Sequence, residues 1–164
     1  MHPVIGTAGS TEGLALVLER GGADFALDHH APGFLEHAAT LAGGGLDVIV
    51  ESSAHFNLGD DIAALSAGGT VAVVGSRGEV TIDPRDLMNT ESSAVGVMLS
   101  AATARDLNEI HAGIGAGLAD GSLRPYVGVV LEGLESAAVA HDEVISHAST
   151  GGSARGKICL GIYP

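Results

Sequence analysis

The sequence predicts an α/β fold in which helices cover both faces of a parallel sheet. Three observations carry that expectation. Gly68-Gly-Thr-Val-Ala-Val-Val-Gly-Ser-Arg-Gly78 runs from a glycine pair through an unbroken apolar stretch into a second glycine-rich turn, as a strand buried on both faces does. Short apolar runs alternate with helix-period segments along the chain, which implies parallel strands joined by helical crossovers. Hydrophobic residues make up 46% of the 164 residues. That suffices for the core of one domain, and no linker or internal repeat divides the chain.

The elements follow in order. Residues 4–8 (VIGTA) form a short strand, and Ser10 or Thr11 caps a helix over about 12–20 in which Leu14, Val17 and Leu18 share one face. Gly21 and Gly22 stop it. Residues 23–27 are a short extended piece ending at Asp28-His29-His30, and a helix over 33–41 ends at the glycines 43–45. Residues 46–50 (LDVIV) read as a buried strand reaching Glu51-Ser52-Ser53. Asn57 is expected to cap a helix over 58–65, before a strand over 70–75. Residues 94–98 are a fifth apolar run, followed by a helix over 103–120. Residues 124–131 are strand-like, and 135–147 are helical with Leu134, Ala138, His141 and Ile145 in register. Residues 157–162 (KICLGI) close the chain as a strand.

Charge and composition exclude several classes. Twenty acidic against seven basic side chains give a net charge of −13, which argues against nucleic acid or an anionic membrane as partner. One cysteine, Cys159, excludes an internal disulfide framework and a multi-cysteine zinc site. No apolar run approaches membrane-span length and the start of the chain has no signal-peptide pattern, so a soluble, cytoplasmic protein is expected. The eight histidines form no HxH or HExxH pattern, so no metal site is expected. There is no G-x-S-x-G elbow or Ser-His-Asp order either, and no catalytic side chain is assigned.

Open α/β sheets bind ligands at the carboxyl ends of their strands. Gly75, Ser76 and Arg77 stand at such an end. Glycine lets a ligand approach the backbone closely, and arginine offers a forked donor to phosphate. The alternative is a plain glycine turn leaving a core strand. Gly113-Ile-Gly115-Ala-Gly117 is a decoy: a dinucleotide fingerprint follows a strand, and these glycines continue a helical pattern.

The order VIGTAGSTEG, LDVIVESSAHFNL, LSAGGTVAVVGSRGEVTIDPRDLM, ESSAVGVML, LRPYVG, AAVAHDEV and GKICL resembles the cofactor domain of medium-chain NADPH:quinone oxidoreductases, the zeta-crystallin group. The resemblance extends over essentially all 164 residues. It implies a Rossmann-like domain, independence of zinc, and hydride transfer from NADPH to a quinone or enone in the complete enzyme, with the cofactor supplying the chemistry. One departure stands out. The family's first strand and its GxxGGVG loop precede the segment matching residues 4–8, and so does a substrate domain; here only Met1-His2-Pro3 stand there. In the Rossmann order 3-2-1-4-5-6 that first strand is central, so the sheet is expected to be incomplete, with bare backbone edges. Either strand 4–8 pairs directly with the Thr70 strand, or a strand is recruited from another chain, or the sequence is a fragment of a longer one.

The site residues follow from the same resemblance. The first strand ends in Gly6-Thr7-Ala8-Gly9-Ser10, with no acid before Glu12. NAD-specific domains place a carboxylate there for the ribose 2′-hydroxyl, so an uncharged loop containing Thr7 favours NADP. His29 stands by the adenosine phosphate, and a solvated turn is its alternative. Ser52 and Ser53 lie near the pyrophosphate and ribose, and Gly75, Ser76 and Arg77 run along the nicotinamide side. Val97, Met98 and Leu99 pack at the nicotinamide ring or simply in the core. Lys157, with Ser153 and Arg155, is a phosphate contact or a solvated basic turn. The strand 157–162 is expected to join two copies into a homodimer. The rival reading is a non-catalytic remnant that associates or binds without a dinucleotide.

Overall fold

The structure, a computed structural model, describes residues 2–150 and 156–162, with residues 146–150 described in backbone only. It has the expected α/β architecture, and every strand pair among the described residues is parallel. The chain packs as two compact units, Met1–Asp106 and Leu107–Pro164.

The first unit holds two separate sheets. One pairs β1 (Ile5–Ala8) with β2 (Phe25–Asp28) across α1 (Thr11–Glu19). Ser10 caps α1, its Oγ accepting the Gly13 N–H at 3.1 Å. After α2 (Phe34–Leu41), the second sheet runs β3 (Leu46–Glu51), β4 (Leu65–Val73), β5 (Ser93–Gly96) in spatial order. Its crossovers are α3 (Ala54–Ala63) and α4 (Pro84–Thr90). The core of this sheet is Ile62, Leu65 and Val71, with Ile49, Leu58, Val73, Ile82 and Leu87 packed around them.

Several expectations need correction. Strand 4–8 does not pair with the Thr70 strand: β1 has β2 as its only strand partner among the described residues, while Thr70 pairs with Val48 on one side and Ser93 on the other. Both edges of β4 are already taken. β3 is buried on one face only. Ile49 and Glu51 turn toward the core, while Val48 and Val50 on the opposite face are 66% and 72% exposed. Asn57 is not a cap but lies within α3, whose N-cap is Ser53. Leu65 opens β4 and does not end a helix. The glycine pair falls inside that strand, with Gly68 at φ 77° and the β3–β4 register shifted between Leu46 and Val48. The sequence reading left α4 unassigned, although Asp83 accepts the Arg85 N–H at 2.9 Å and Pro84 supplies a pre-set first residue.

The second unit pairs β6 (Val127–Glu132) with β7 (Lys157–Gly161) across α6 (Ala137–Thr150). The helix α5 (Ala104–Asp120), which starts in the first unit, contains Gly113, Gly115 and Gly117, so the decoy fingerprint is helical. Lys157 donates its N–H to Tyr126 O at 2.8 Å, and Gly133 donates to Gly161 O at 2.9 Å. Strand alternation then turns the backbone groups of Ile158 and Leu160 away from β6. Among the described residues no helix is long and apolar enough to cross a membrane.

Candidate functional site

A cleft of about 1420 Å³ opens between the two sheets of the first unit, with β1 on one side and β3 on the other. Four of the residues singled out from sequence line it: Thr7, His29, Ser52 and Ser53. The His29–His30 turn is built by Asp28, whose Oδ1 accepts the His30 N–H at 2.9 Å. The two rings meet edge to face at 4.4 Å and lie over Gly9. A Cβ at Gly9 would stand 2.6 Å from His30 Nε2 and 2.9 Å from His29 Nε2, so a side chain there would displace the two exposed rings.

The Gly75–Arg77 turn is stitched to the start of α3. Ala54 donates its N–H to Gly75 O at 3.1 Å, and Arg77 donates its N–H to His55 Nδ1 at 3.3 Å. A Cβ at Gly75 would come within 2.5 Å of Ser52 O, so glycine is required for the approach of the two strand ends. Ser76 Oγ closes the turn on Gly78 O at 3.1 Å. The Arg77 guanidinium is exposed and makes no hydrogen bond or ion pair among the described residues.

Val97 and Met98 follow the end of β5. The Val97 N–H donates to Val73 O at 2.9 Å, and the two side chains are 52% and 70% exposed. They are therefore not core residues here. Lys157 is exposed at the start of β7 in the second unit; Ser153 and Arg155 lie outside the described residues.

The cleft also holds a feature that sequence reasoning missed. Glu51 and Asp61 are 8% and 2% exposed and both line the cleft. Glu51 ends β3 and accepts the Ser53 N–H and, at 3.0 Å, the Asn57 amide. The N-cap amide of α3 is thus engaged internally. Asp61 Oδ2 is buried with no hydrogen-bond partner among the described residues. Burial pushes the Asp61 carboxyl from 3.8 up to about 7, helped by the charge of Glu51, a hydrogen bond with it, and the charge of Asp60. Asp61 therefore tends to hold its proton toward neutral pH, facing Glu51. An acid ending an apolar run was the available sequence signal.

Among the described residues no three His, Cys, Asp or Glu side chains group closely enough to hold a metal ion.

A sequence profile described as zinc-binding dehydrogenase matches residues 1–112. The quinone oxidoreductases of Sus scrofa and Homo sapiens are 41% and 39% identical to this chain over 150 and 158 residues. Those alignments cover 90% and 96% of this chain but 45% and 46% of the relatives, so it spans a little under half their length. A crystal structure of an NAD-dependent alcohol dehydrogenase matches 98% of this chain and 44% of its own, with TM-score 0.80 and 27% identity. CurA from Vibrio vulnificus, solved in complex with NADPH, matches 98% and 49% with TM-score 0.74 at 20% identity, a likeness of fold. By its profile match over residues 1–112, and in keeping with its parallel α/β fold, the chain belongs to the zinc-binding dehydrogenase family.

Proposed function

We propose that this chain is the NADP(H)-binding part of an oxidoreductase that transfers hydride from NADPH to a quinone or related enone. The observation that carries the reading is the cleft, whose lining gathers Thr7, His29, Ser52 and Ser53 beside the hydrogen-bonded Gly75–Arg77 turn. Ligands of open parallel sheets sit at such strand ends. The quinone oxidoreductases at about 40% identity and the NADPH complex of CurA support the same class.

In this reading Thr7 and His29 face the adenosine 2′-phosphate, since β1 ends without an acid before Glu12 to repel it. Ser52 and Ser53 offer hydroxyls to the ribose–diphosphate, and the free Arg77 guanidinium supplies charge. Val97 and Met98 present apolar surface to the nicotinamide end. The bound dinucleotide would supply the hydride, and the residues named here bind and orient it. Lys157 offers a further cation for phosphate. The outward backbone edge of β7 suits a homodimer through residues 157–162. A cytoplasmic setting fits this chemistry.

A second reading, a non-catalytic α/β module that holds no dinucleotide, draws on the bare edges of β1 and β3 across the cleft. Fluorescence titration separates the two. Tighter binding of NADPH than NADH is expected; equal affinities would remove the NADP preference, and no binding of either would favour the second reading.

A further inference from the structure

We propose that His55 is the positioning residue for Arg77: its bare Nδ1 ties the Gly75–Arg77 turn to α3, and a proton on that nitrogen releases the turn and weakens dinucleotide binding. The role rests on the dinucleotide reading of the cleft and adds to it a residue and a proton dependence.

The way the turn is held is the first argument. Up to Gly75 the main chain does the holding. Val74 donates its N–H to Glu51 O at 2.8 Å, and Gly75 O accepts the Ala54 N–H at 3.1 Å. Beyond Gly75 the bond from Ser76 Oγ to Gly78 O lies within the turn itself. Among the described residues, one hydrogen bond joins residues 76–78 to another element, and it runs from the Arg77 N–H to His55 Nδ1 at 3.3 Å. The Arg77 guanidinium is exposed and makes no bond of its own among the described residues. Where that cation stands therefore depends on where its main chain is fixed, and His55 fixes it.

The ring is itself held in place. His55 is half-buried in the first turn of α3, two residues after the N-cap Ser53. The Phe56 ring lies against it with centroids 4.0 Å apart. A Cβ at Gly78 would meet His55 Cβ at 3.6 Å and Cδ2 at 3.9 Å, so the imidazole is set closely against the Gly78 main chain.

Chemistry then gives the proton dependence. A backbone N–H only donates, so Nδ1 must be bare and the neutral ring must carry its proton on Nε2. An imidazolium has no acceptor left, and its Nδ1–H would point at the Arg77 N–H. Imidazole is the side chain whose charge ordinarily changes between about pH 5 and 8. On the elements packed against α3 the charged groups are Glu51 at the end of β3, Arg77 and Glu79 after β4, and Asp83, Arg85 and Asp86 where α4 begins. Asp60 and Asp61 lie on α3 itself, and Asp61 changes charge in the same range. All of these are common to the wild type and a His55 variant, so a ratio between the two isolates the ring.

The test uses the 164-residue chain, with NADP⁺ as the probe in calorimetry and nitrogen NMR of the His55 ring without ligand, between about pH 5.5 and 8. At the alkaline end Nδ1 should be bare and Nε2 protonated, and the Arg77 amide signal should move in step with the ring as pH falls. A proton on Nδ1 of the neutral ring, or an Arg77 amide indifferent to the ring, would overturn the tie. His55→Ala should weaken NADP⁺ binding about three- to tenfold at the alkaline end, as the loss of one hydrogen bond does. His55→Asn should restore it, because its Oδ1 can accept where Nδ1 does and takes up no proton. Relative to His55→Asn, the wild type should lose the same factor on acidification; a constant ratio would overturn the proton dependence. In an Arg77→Ala background His55→Ala should change little, since the two residues act as one. An undiminished effect there would make His55 a plain structural residue and overturn its positioning role. Absence of NADP⁺ binding by the wild type would overturn the dinucleotide reading and the binding half of this proposal, while the nitrogen signature still decides the tie. Normal binding without that signature would overturn the tie and leave the dinucleotide reading standing.

Discussion

The substitution Asp61→Asn should make the protein more stable at alkaline pH, by an amount that grows from pH 5 to pH 8. The Asp61 carboxyl titrates near 3.8 when free and near about 7 in the fold. Between those values the folded state keeps a proton that the unfolded chain has released. The stability this proton supplies is present at low pH and is lost as pH rises through about 7. About two units of the shift lie between pH 5 and 7, and at 1.36 kcal/mol per unit the ceiling is about 3 kcal/mol. The neighbouring Glu51 charge is one cause of the Asp61 shift, and the two groups interact, so roughly 1–3 kcal/mol is the expected range. The introduced asparagine carries no charge at any of these pH values, and its amide donates to Glu51 as the protonated acid does. Urea unfolding of both proteins at pH 5 and pH 8 isolates the effect, because every other group cancels in the difference. With a slope of about 1–3 kcal/mol per molar, the gap in midpoint should widen by roughly 1 M. Parallel pH profiles for the two proteins would refute a proton held by the buried Asp61 carboxyl.

Four further outcomes are expected. Arg77→Ala should weaken NADPH binding about tenfold or more, the loss of one charge-assisted hydrogen bond; unchanged affinity in titration would place Arg77 outside the site. Gly75→Ala should cost about 1–3 kcal/mol in urea unfolding, because its Cβ meets Ser52 O at 2.5 Å. Ile158→Pro removes an outward N–H and spares the β6 ladder, so light scattering should show dimers split into folded monomers; a monomeric wild type would contradict the interface. The isolated chain should show no quinone-dependent NADPH oxidation, and turnover near the median of about 10 per second would contradict that.

The parts of the fold that were legible in the sequence were those written in local chemistry. Glycine punctuation around an apolar run located β4 and the Gly75–Arg77 turn, and a hydroxyl before a helical period narrowed the cap of α1 to Ser10 or Thr11, of which Ser10 serves. The burial of β3 was not legible, because an apolar run states that faces can be covered and not that a layer covers them. Val48 and Val50 show the difference. Asn57 looked like a cap because its residue type suits one, but the chain had already turned into α3 at Ser53, and the amide of Asn57 serves Glu51. The Asp83-Pro84 start of α4 was readable and was overlooked. The pairing of Glu51 with Asp61 lay beyond any local rule, since it joins a strand end to a helix interior through packing. Of the site, Thr7, His29, Ser52 and Ser53 could be brought together only by the topology that sets β1 and β3 across one cleft.

That topology also governs how the protein comes apart. Within the first unit each sheet is made of strands adjacent in sequence, and no ladder among the described residues ties β1–β2 to β3–β4–β5. Such local connectivity favours fast formation of each piece but weak cooperation between them. The β3–β5 piece is anchored by Ile62, Leu65 and Val71, whereas α1 beside β1 and β2 buries no residue fully. The β1–β2 piece should therefore open first and more often, so that unfolding is staged and a single midpoint averages two processes. Thr7 and His29 belong to the short-lived side of the cleft, Ser52 and Ser53 to the long-lived one. Whatever binds across both holds the fast piece closed and makes the first unit melt as a whole.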